Sequence, residues 1–212
     1  MCYTHAVDYM NGEVMHMQNW LSMPIRLGIR QSFGRNRLSL AQKAVVDWAK
    51  LDDYSAVLDV DCSDGRLLEH FLRRYSLRAC GIAADSSQLR EAVEVLGNTA
   101  EVLRADARDI PWRSRSFDLV CMTRQLAGEA PAKQTLSEIL RVMKPAGQLV
   151  VAVPGVGFSA GFRRQDAGQE RRFDNPYHLM SALNEAGFQD VSMRLSRFRH
   201  ATVVAHAPEP YA

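Results

Sequence analysis

Lysine is nearly missing from this 212-residue chain: only Lys43, Lys50, Lys133 and Lys144 occur, so 22 of the 26 basic residues are arginine. Against 24 acidic residues the formal charge is +2, too small a surplus to make nucleic acid the expected partner. Cysteine is also scarce. Cys2, Cys62, Cys80 and Cys121 form no CxxC pair, which argues against a structural zinc site and against a disulfide framework, and for a reducing compartment. No run approaches the roughly 18 apolar residues that cross a bilayer, and the N-terminus lacks the pattern of a signal peptide. The expectation is a soluble, cytoplasmic protein with no membrane and no nucleic-acid partner. What is present is an ordinary globular mixture, 47% apolar and 24% charged. A chain of this length buries roughly 70% of the surface of its unfolded form, enough for a core without metals or staples.

Hydrophobic periodicity divides the chain into a leader, residues 1–39, and a regular body, residues 40–212. In the leader, Pro24 and Gly28 interrupt Trp20, Leu21, Met23, Ile25, Leu27 and Ile29, which predicts a short helix or irregular cover. Ser39 then stands as an N-cap before the helically spaced Leu40, Ala44, Val45 and Trp48. The body alternates apolar strands with amphipathic helices. Strands are predicted at 56–60, 79–84, 101–105, 117–122 and 148–153, and helices at 66–74, 87–96 and 132–142. Such alternation indicates right-handed βαβ units and a parallel sheet covered on both faces. After a glycine- and arginine-rich connection over 155–176, a helix to Ala186 leads into two runs, 190–195 and 198–206. They are close enough to pair as an antiparallel hairpin.

An open parallel sheet binds ligands beyond the carboxyl ends of its strands, beside the first strand. There the sequence reads Val57-Leu58-Asp59-Val60-Asp61-Cys62-Ser63-Asp64-Gly65-Arg66-Leu67, a strand, a tight turn and a helix start. This segment resembles the first motif of class I S-adenosylmethionine-dependent methyltransferases. Further pieces follow in the family's order: Gly81-Ile82, Ala105-Asp106-Ala107, Ile110-Pro111-Trp112 with Ser116-Phe117-Asp118, and Arg141 to Leu149. The resemblance covers about residues 40 to 206. It implies a Rossmann-like, doubly wound, mostly parallel seven-stranded sheet with a C-terminal antiparallel hairpin, and S-adenosylmethionine as cofactor.

Carried over position by position, the resemblance makes Asp59, Asp61, Gly65, Asp85, Asp106 and Ala107 the cofactor-binding candidates. Asp59, Gly65 and Asp106 match the family pattern. Elsewhere the chain departs from it: Asp61 and Ser63 replace two turn glycines, and Ala83 replaces the acid that takes the ribose hydroxyls. Asp tolerates left-handed backbone, so Asp61 is expected to keep the turn. Its carboxylate either attracts the cofactor's ammonium or repels its carboxylate. Asp85, two residues beyond Ala83, is the candidate substitute for the lost acid. Charge-assisted hydrogen bonds are worth about 1.5 to 3 kcal/mol each, so that loss weighs on affinity.

Methyl transfer needs chiefly proximity and orientation, sometimes with a base, and no catalytic residue is assigned. Thr123-Arg124-Gln125-Leu126 follows the fourth strand where the family faces the transferring methyl. Arg124 is a candidate contact for an acidic substrate, and Tyr3, His5, Tyr9 and His16 are candidates in the leader, which is expected to act as a lid. Cys62 and Cys121 read as buried, inert thiols. The leading expectation is methyl transfer to a small-molecule acceptor. The alternative is a catalytically impaired member of the same fold that serves as a binding or partner subunit, in a hetero- or homo-oligomer. A related fold running a different reaction is the third reading.

Overall fold

The computed structural model describes residues 37–123, 129–153, 176–195 and 201–209, with a short backbone ladder pairing Tyr9–Met10 and Glu13–Val14. The rest of the leader, the segment around Arg124 and the connection over 155–175 lie outside the described residues. So do the side chains of Tyr3, His5, Tyr9 and His16.

Five strands follow the predicted order: β1 (Ala56–Asp59), β2 (Arg78–Ala83), β3 (Ala100–Arg104), β4 (Phe117–Met122) and β5 (Met143–Val153). The hairpin strands are β6 (Gln189–Leu195) and β7 (Ala201–His206). They form one seven-stranded sheet in the order β3-β2-β1-β4-β5-β7-β6. The pairs among β1 to β5 are parallel, while β7 runs antiparallel to both β5 and β6. The order reverses at β1, between β2 and β4, where such a sheet opens a crevice at its carboxyl edge.

Alternation along the strands explains the layering, since successive side chains point to opposite faces. On β1, Leu58 faces a core shared with Leu136, Ile139 and Val142 of α4 (Glu129–Val142) and with Leu179 and Leu183 of α5 (Pro176–Glu185). Val57 faces the other core. That second core holds Ala44 and Val45 of α1 (Leu40–Trp48), Leu67, Leu68 and Phe71 of α2 (Arg66–Leu72), and Ala92 and Leu96 of α3 (Ser86–Leu96). All four β1 residues are buried, as a strand covered on both faces requires. The expected cap of α1 is present as a capping box: the Gln42 N–H donates to Ser39 Oγ at 3.1 Å and the Ser39 N–H to Gln42 Oε1 at 2.8 Å.

The start of β5 differs from the sequence expectation. The strand is predicted from residue 148, but pairing begins already at Met143 opposite Phe117 and then shifts register before Gln148 meets Leu119. Ala146 takes φ 58° within this irregularity. At Gly147 an added Cβ would lie 2.8 Å from the Lys144 carbonyl oxygen and 3.2 Å from that of Phe117, so the strand passes here only without a side chain.

Candidate functional site

The turn after β1 is stitched to the strands on either side. The Val60 N–H donates to the Cys121 carbonyl and the Cys62 N–H to the Ile82 carbonyl, each at 2.9 Å. Asp59, only 1% exposed, accepts the Asp61 N–H on Oδ1 at 3.2 Å. Burial raises the Asp59 pKa to about 7; the Asp61 amide opposes that rise, and the charges of Asp61 and Asp64 add to it. The left-handed residues of the turn are Ser63 at φ 47° and Gly65 at φ 74°. This corrects the expectation that Asp61 would hold the left-handed position: Asp61 keeps a negative φ and Ser63 carries the strain. At Gly65 a Cβ would come within 2.9 Å of Leu96 Cδ1 and 3.2 Å of Ala92 Cα. The glycine therefore lets the start of α2 press against α3.

A cavity of about 490 Å³ opens at the carboxyl ends of β1 to β4, within the roughly 300–1,000 Å³ range of small-molecule sites. Val60 and Asp61 line it from the first turn, Ile82 from the second strand and Ala84 from just beyond that strand's end. The end of β3 supplies Arg104, Ala105, Asp106 and Ala107; Met122 and Thr135 complete the wall from β4 and α4. Among the six candidates, Asp61, Asp106 and Ala107 reach this lining. Asp59 sits buried at the root of the turn, Gly65 packs on α3, and Asp85 is the N-cap of α3. Its Oδ1 accepts the Ser87 and Gln88 N–H groups at 2.8 and 2.9 Å. Ala83 is fully buried.

Asp106 is gripped by a near neighbour. Arg108 Nε lies 3.0 Å from both carboxylate oxygens, Nη2 lies 2.5 Å from Oδ2, and the Arg108 N–H donates to Oδ1 at 2.8 Å. Hydrogen bonding from the guanidinium, then from the amide, holds the Asp106 carboxyl below the usual carboxylate range. The loop that follows is clamped to α4. Arg141 donates to the Trp112 and Ile110 carbonyls at 2.9 and 2.8 Å and to Glu138, while Glu138 Oε2 accepts the Ile110 N–H at 2.9 Å.

Sequence reasoning missed Arg104. It is the Cα partner of Ala83 across β2 and β3, and its Nη1 donates to Ser86 Oγ at 3.2 Å. The available signal was position: Arg104 lies two residues before Asp106, at the last place in its strand. Among the described residues the three thiols, Cys62, Cys80 and Cys121, are buried and carry no chemistry. Burial pushes Cys62 and Cys121 well above their ordinary value and Cys80 up to about 12, which keeps all three protonated and unreactive. Among the described residues no His, Cys, Asp and Glu cluster could hold a metal, and no helix is long and apolar enough to cross a membrane.

Residues 57–147 match the family model of a methyltransferase domain. The chain is 28% identical over 152 residues to the 2-methyl-6-phytyl-1,4-hydroquinone methyltransferase of Synechocystis sp., covering 69% of this chain and 46% of that one. It is 25% identical over 193 residues to a ubiquinone/menaquinone biosynthesis C-methyltransferase of Cronobacter sakazakii, covering 76% of each. The chain thus spans less than half of the Synechocystis protein. Among solved structures, the cyclase SpnF superposes with a TM-score of 0.63 at 19% identity, over 80% of this chain and 81% of that one. A shared fold at that identity does not fix the reaction.

Proposed function

We propose that the chain is a member of the class I S-adenosylmethionine-dependent methyltransferase family and transfers the cofactor's methyl group to a small-molecule acceptor, a reading supported by the methyltransferase-domain match and the methyltransferase relatives. The observation that carries the reading is the cavity at the carboxyl edge of β1 to β4, with Asp61 and Asp106 in its wall.

The residues present fit the cofactor. The cavity has the volume of a small-molecule site, Ile82, Ala105 and Met122 give it apolar wall beside the charged Asp61, Arg104 and Asp106, and Asp106 is held ionised as an acceptor. Asp106 would take the adenine amino group, with the backbone of Ala107 beside it. Asp61, projecting from the turn, would meet the cofactor's ammonium. Bound S-adenosylmethionine supplies a methyl group already activated on a sulfonium. The chain's own part is to hold and orient the two reactants and to exclude water. Asp59 serves by ordering the turn that presents Asp61. Hydroquinone rings are the first acceptor class to assay, because the relatives named above act on such compounds or in quinone biosynthesis.

Isothermal titration with S-adenosylmethionine and S-adenosylhomocysteine tests the reading. Binding at micromolar to sub-millimolar concentration is expected, weakened about tenfold in Asp106→Ala, the order of one charge-assisted hydrogen bond. No heat and no thermal shift at millimolar ligand would sink the reading.

A further inference from the structure

Thr135 is the buried polar side chain of the cavity lining: it is 4% exposed, whereas Asp61 and Arg104 are half-buried and Asp106 is exposed. It interrupts the apolar stripe that α4 turns toward the sheet, formed by Ala132, Leu136, Ile139 and Val142, so packing alone asks for a hydrocarbon there. A threonine inside a helix can return its hydroxyl to the carbonyl one turn back. Here, among the described residues, that hydroxyl has no hydrogen-bond partner, and a buried hydroxyl is costly unless something in the cavity meets it. The loop after β3 fixes where along the cavity it stands. That loop and α4 run side by side in the same direction: the Val142 carbonyl accepts the Ser116 N–H, the Arg141 carbonyl the Arg115 N–H, and Glu138 Oε2 the Ile110 N–H. One turn before Glu138, about 5 Å along the axis, Thr135 comes level with the start of the loop at Asp106 and Ala107. Ala107 packs on the same core as Leu136 and Ile139.

Resting on the reading of this cavity as the cofactor site, we propose that Thr135 is a base-reading residue whose hydroxyl donates to a ring nitrogen of the adenine, beside the amino group that Asp106 accepts. The two edges of the base ask for opposite partners. The amino group donates and suits a carboxylate, whereas a ring nitrogen only accepts, and an ionised carboxylate cannot serve it; a hydroxyl carries the donor. Ile82, Ala105, Ala107 and Met122 bring apolar wall against the faces of the base. A ring nitrogen buried among them loses its bond to water, so a donor at its edge decides whether the base is held or merely enclosed.

Titration of the full chain with S-adenosylhomocysteine, adenosine and the 1-, 3- and 7-deaza analogues of adenosine, each with carbon in place of one ring nitrogen, tests this. Thr135→Val keeps the shape and removes the hydroxyl. It should bind S-adenosylhomocysteine and adenosine about three- to tenfold more weakly, the worth of one neutral hydrogen bond, while the melting temperature of the free protein does not fall. In the parent one deaza analogue should show the same loss relative to adenosine. That loss should vanish in Thr135→Val and return in Thr135→Ser, the sign of a direct coupling between hydroxyl and nitrogen. Parental affinity in Thr135→Val, or deaza losses equal in parent and variant at all three positions, overturns the assignment. A melting temperature that falls while the deaza losses persist does the same, since it marks a threonine that serves the fold alone. S-Adenosylhomocysteine separates the two failures: if the parent binds it and the deaza series shows no coupling, only the role of Thr135 falls, and if the parent does not bind it, the methyltransferase reading falls as well.

Discussion

The backbone N–H of Asp61 donates to Oδ1 of Asp59 at 3.2 Å, and this is the hydrogen bond given to a carboxylate that is only 1% exposed. One amide cannot offset the burial, so the Asp59 pKa rises from 3.8 to about 7. A raised acid holds its proton in the folded state over a range where the unfolded chain has lost it. Between about pH 4 and 7 the folded state therefore binds more protons, and stability falls as pH rises, by about 1.4 kcal/mol per unit. Above pH 7 the penalty is complete, on the order of 4 kcal/mol. Asp59→Asn keeps an acceptor for the Asp61 amide and removes the titration. Urea unfolding should find the variant more stable than the parent at pH 8, with the gap closing toward pH 4. A gap independent of pH would show that Asp59 does not titrate this way.

Ser63 occupies left-handed backbone at φ 47°, where a residue with a Cβ is strained by about 1 to 2 kcal/mol. Ser63→Gly removes that strain but adds freedom to the unfolded chain, a loss of about 0.4 to 1 kcal/mol. The net expectation is a gain of between about 0 and 1.6 kcal/mol in denaturant unfolding. Ser63→Val should lose more than about 1 kcal/mol, because a branched side chain fits this region worst. Equal stability of the two variants would refute the strain.

The turn shows what a sequence does and does not carry. The strand and helix order was legible because buried parallel strands read as short apolar runs and helices as striped ones, and Asp106 stood out as the acid closing a strand. Ser63 was not identified as the strained residue, because a side chain's tolerance says nothing about which residue of a five-residue turn must bend left. Arg104 escaped for a different reason. Its place in the cavity wall, opposite Ala83 and 21 positions from it in sequence, follows from ladder register, which is set by the whole sheet rather than by either strand. Asp85 has the right position to replace the lost acid, yet local N–H groups at the start of α3 claim its Oδ1, a competition favoured wherever Asp precedes a helix.

Gly81 has an equally local constraint. A Cβ there would lie 2.7 Å from Cys62 Sγ and 2.8 Å from Cys62 Cβ, below any real contact. Cys62 cannot retreat, since its N–H is bonded to the Ile82 carbonyl and its side chain is fully buried. Gly81→Ala should cost about 1 to 3 kcal/mol, the range for overpacking a core. Combining it with Cys62→Ala removes the sulfur and should give a smaller loss than the sum of the two single changes. Strict additivity would show that the two residues do not meet.

Arg141 holds the loop behind Asp106 through two carbonyls and Glu138 at once. Its planar fork makes that possible, and an ammonium on a flexible stem cannot reproduce it. Arg141→Lys should therefore lower stability by about 1 to 3 kcal/mol, the cost of leaving partly buried acceptors short of donors. Hydrogen bonding from Arg141 holds the Glu138 carboxyl below its ordinary value of 4.5. A depressed acid stabilises the fold fully above the unfolded value and loses that contribution as pH falls through the folded one. The parent should accordingly lose stability below about pH 4.5 more steeply than Arg141→Lys, in which Glu138 returns toward its ordinary value. Because the clamped loop begins at Asp106, the same variant should also weaken S-adenosylhomocysteine binding, with adenosine affected in proportion. Thermal unfolding across pH 3.5 to 7, paired with titration at pH 7, checks both effects; a variant with parental stability and parental affinity would remove the clamp from the account of the site.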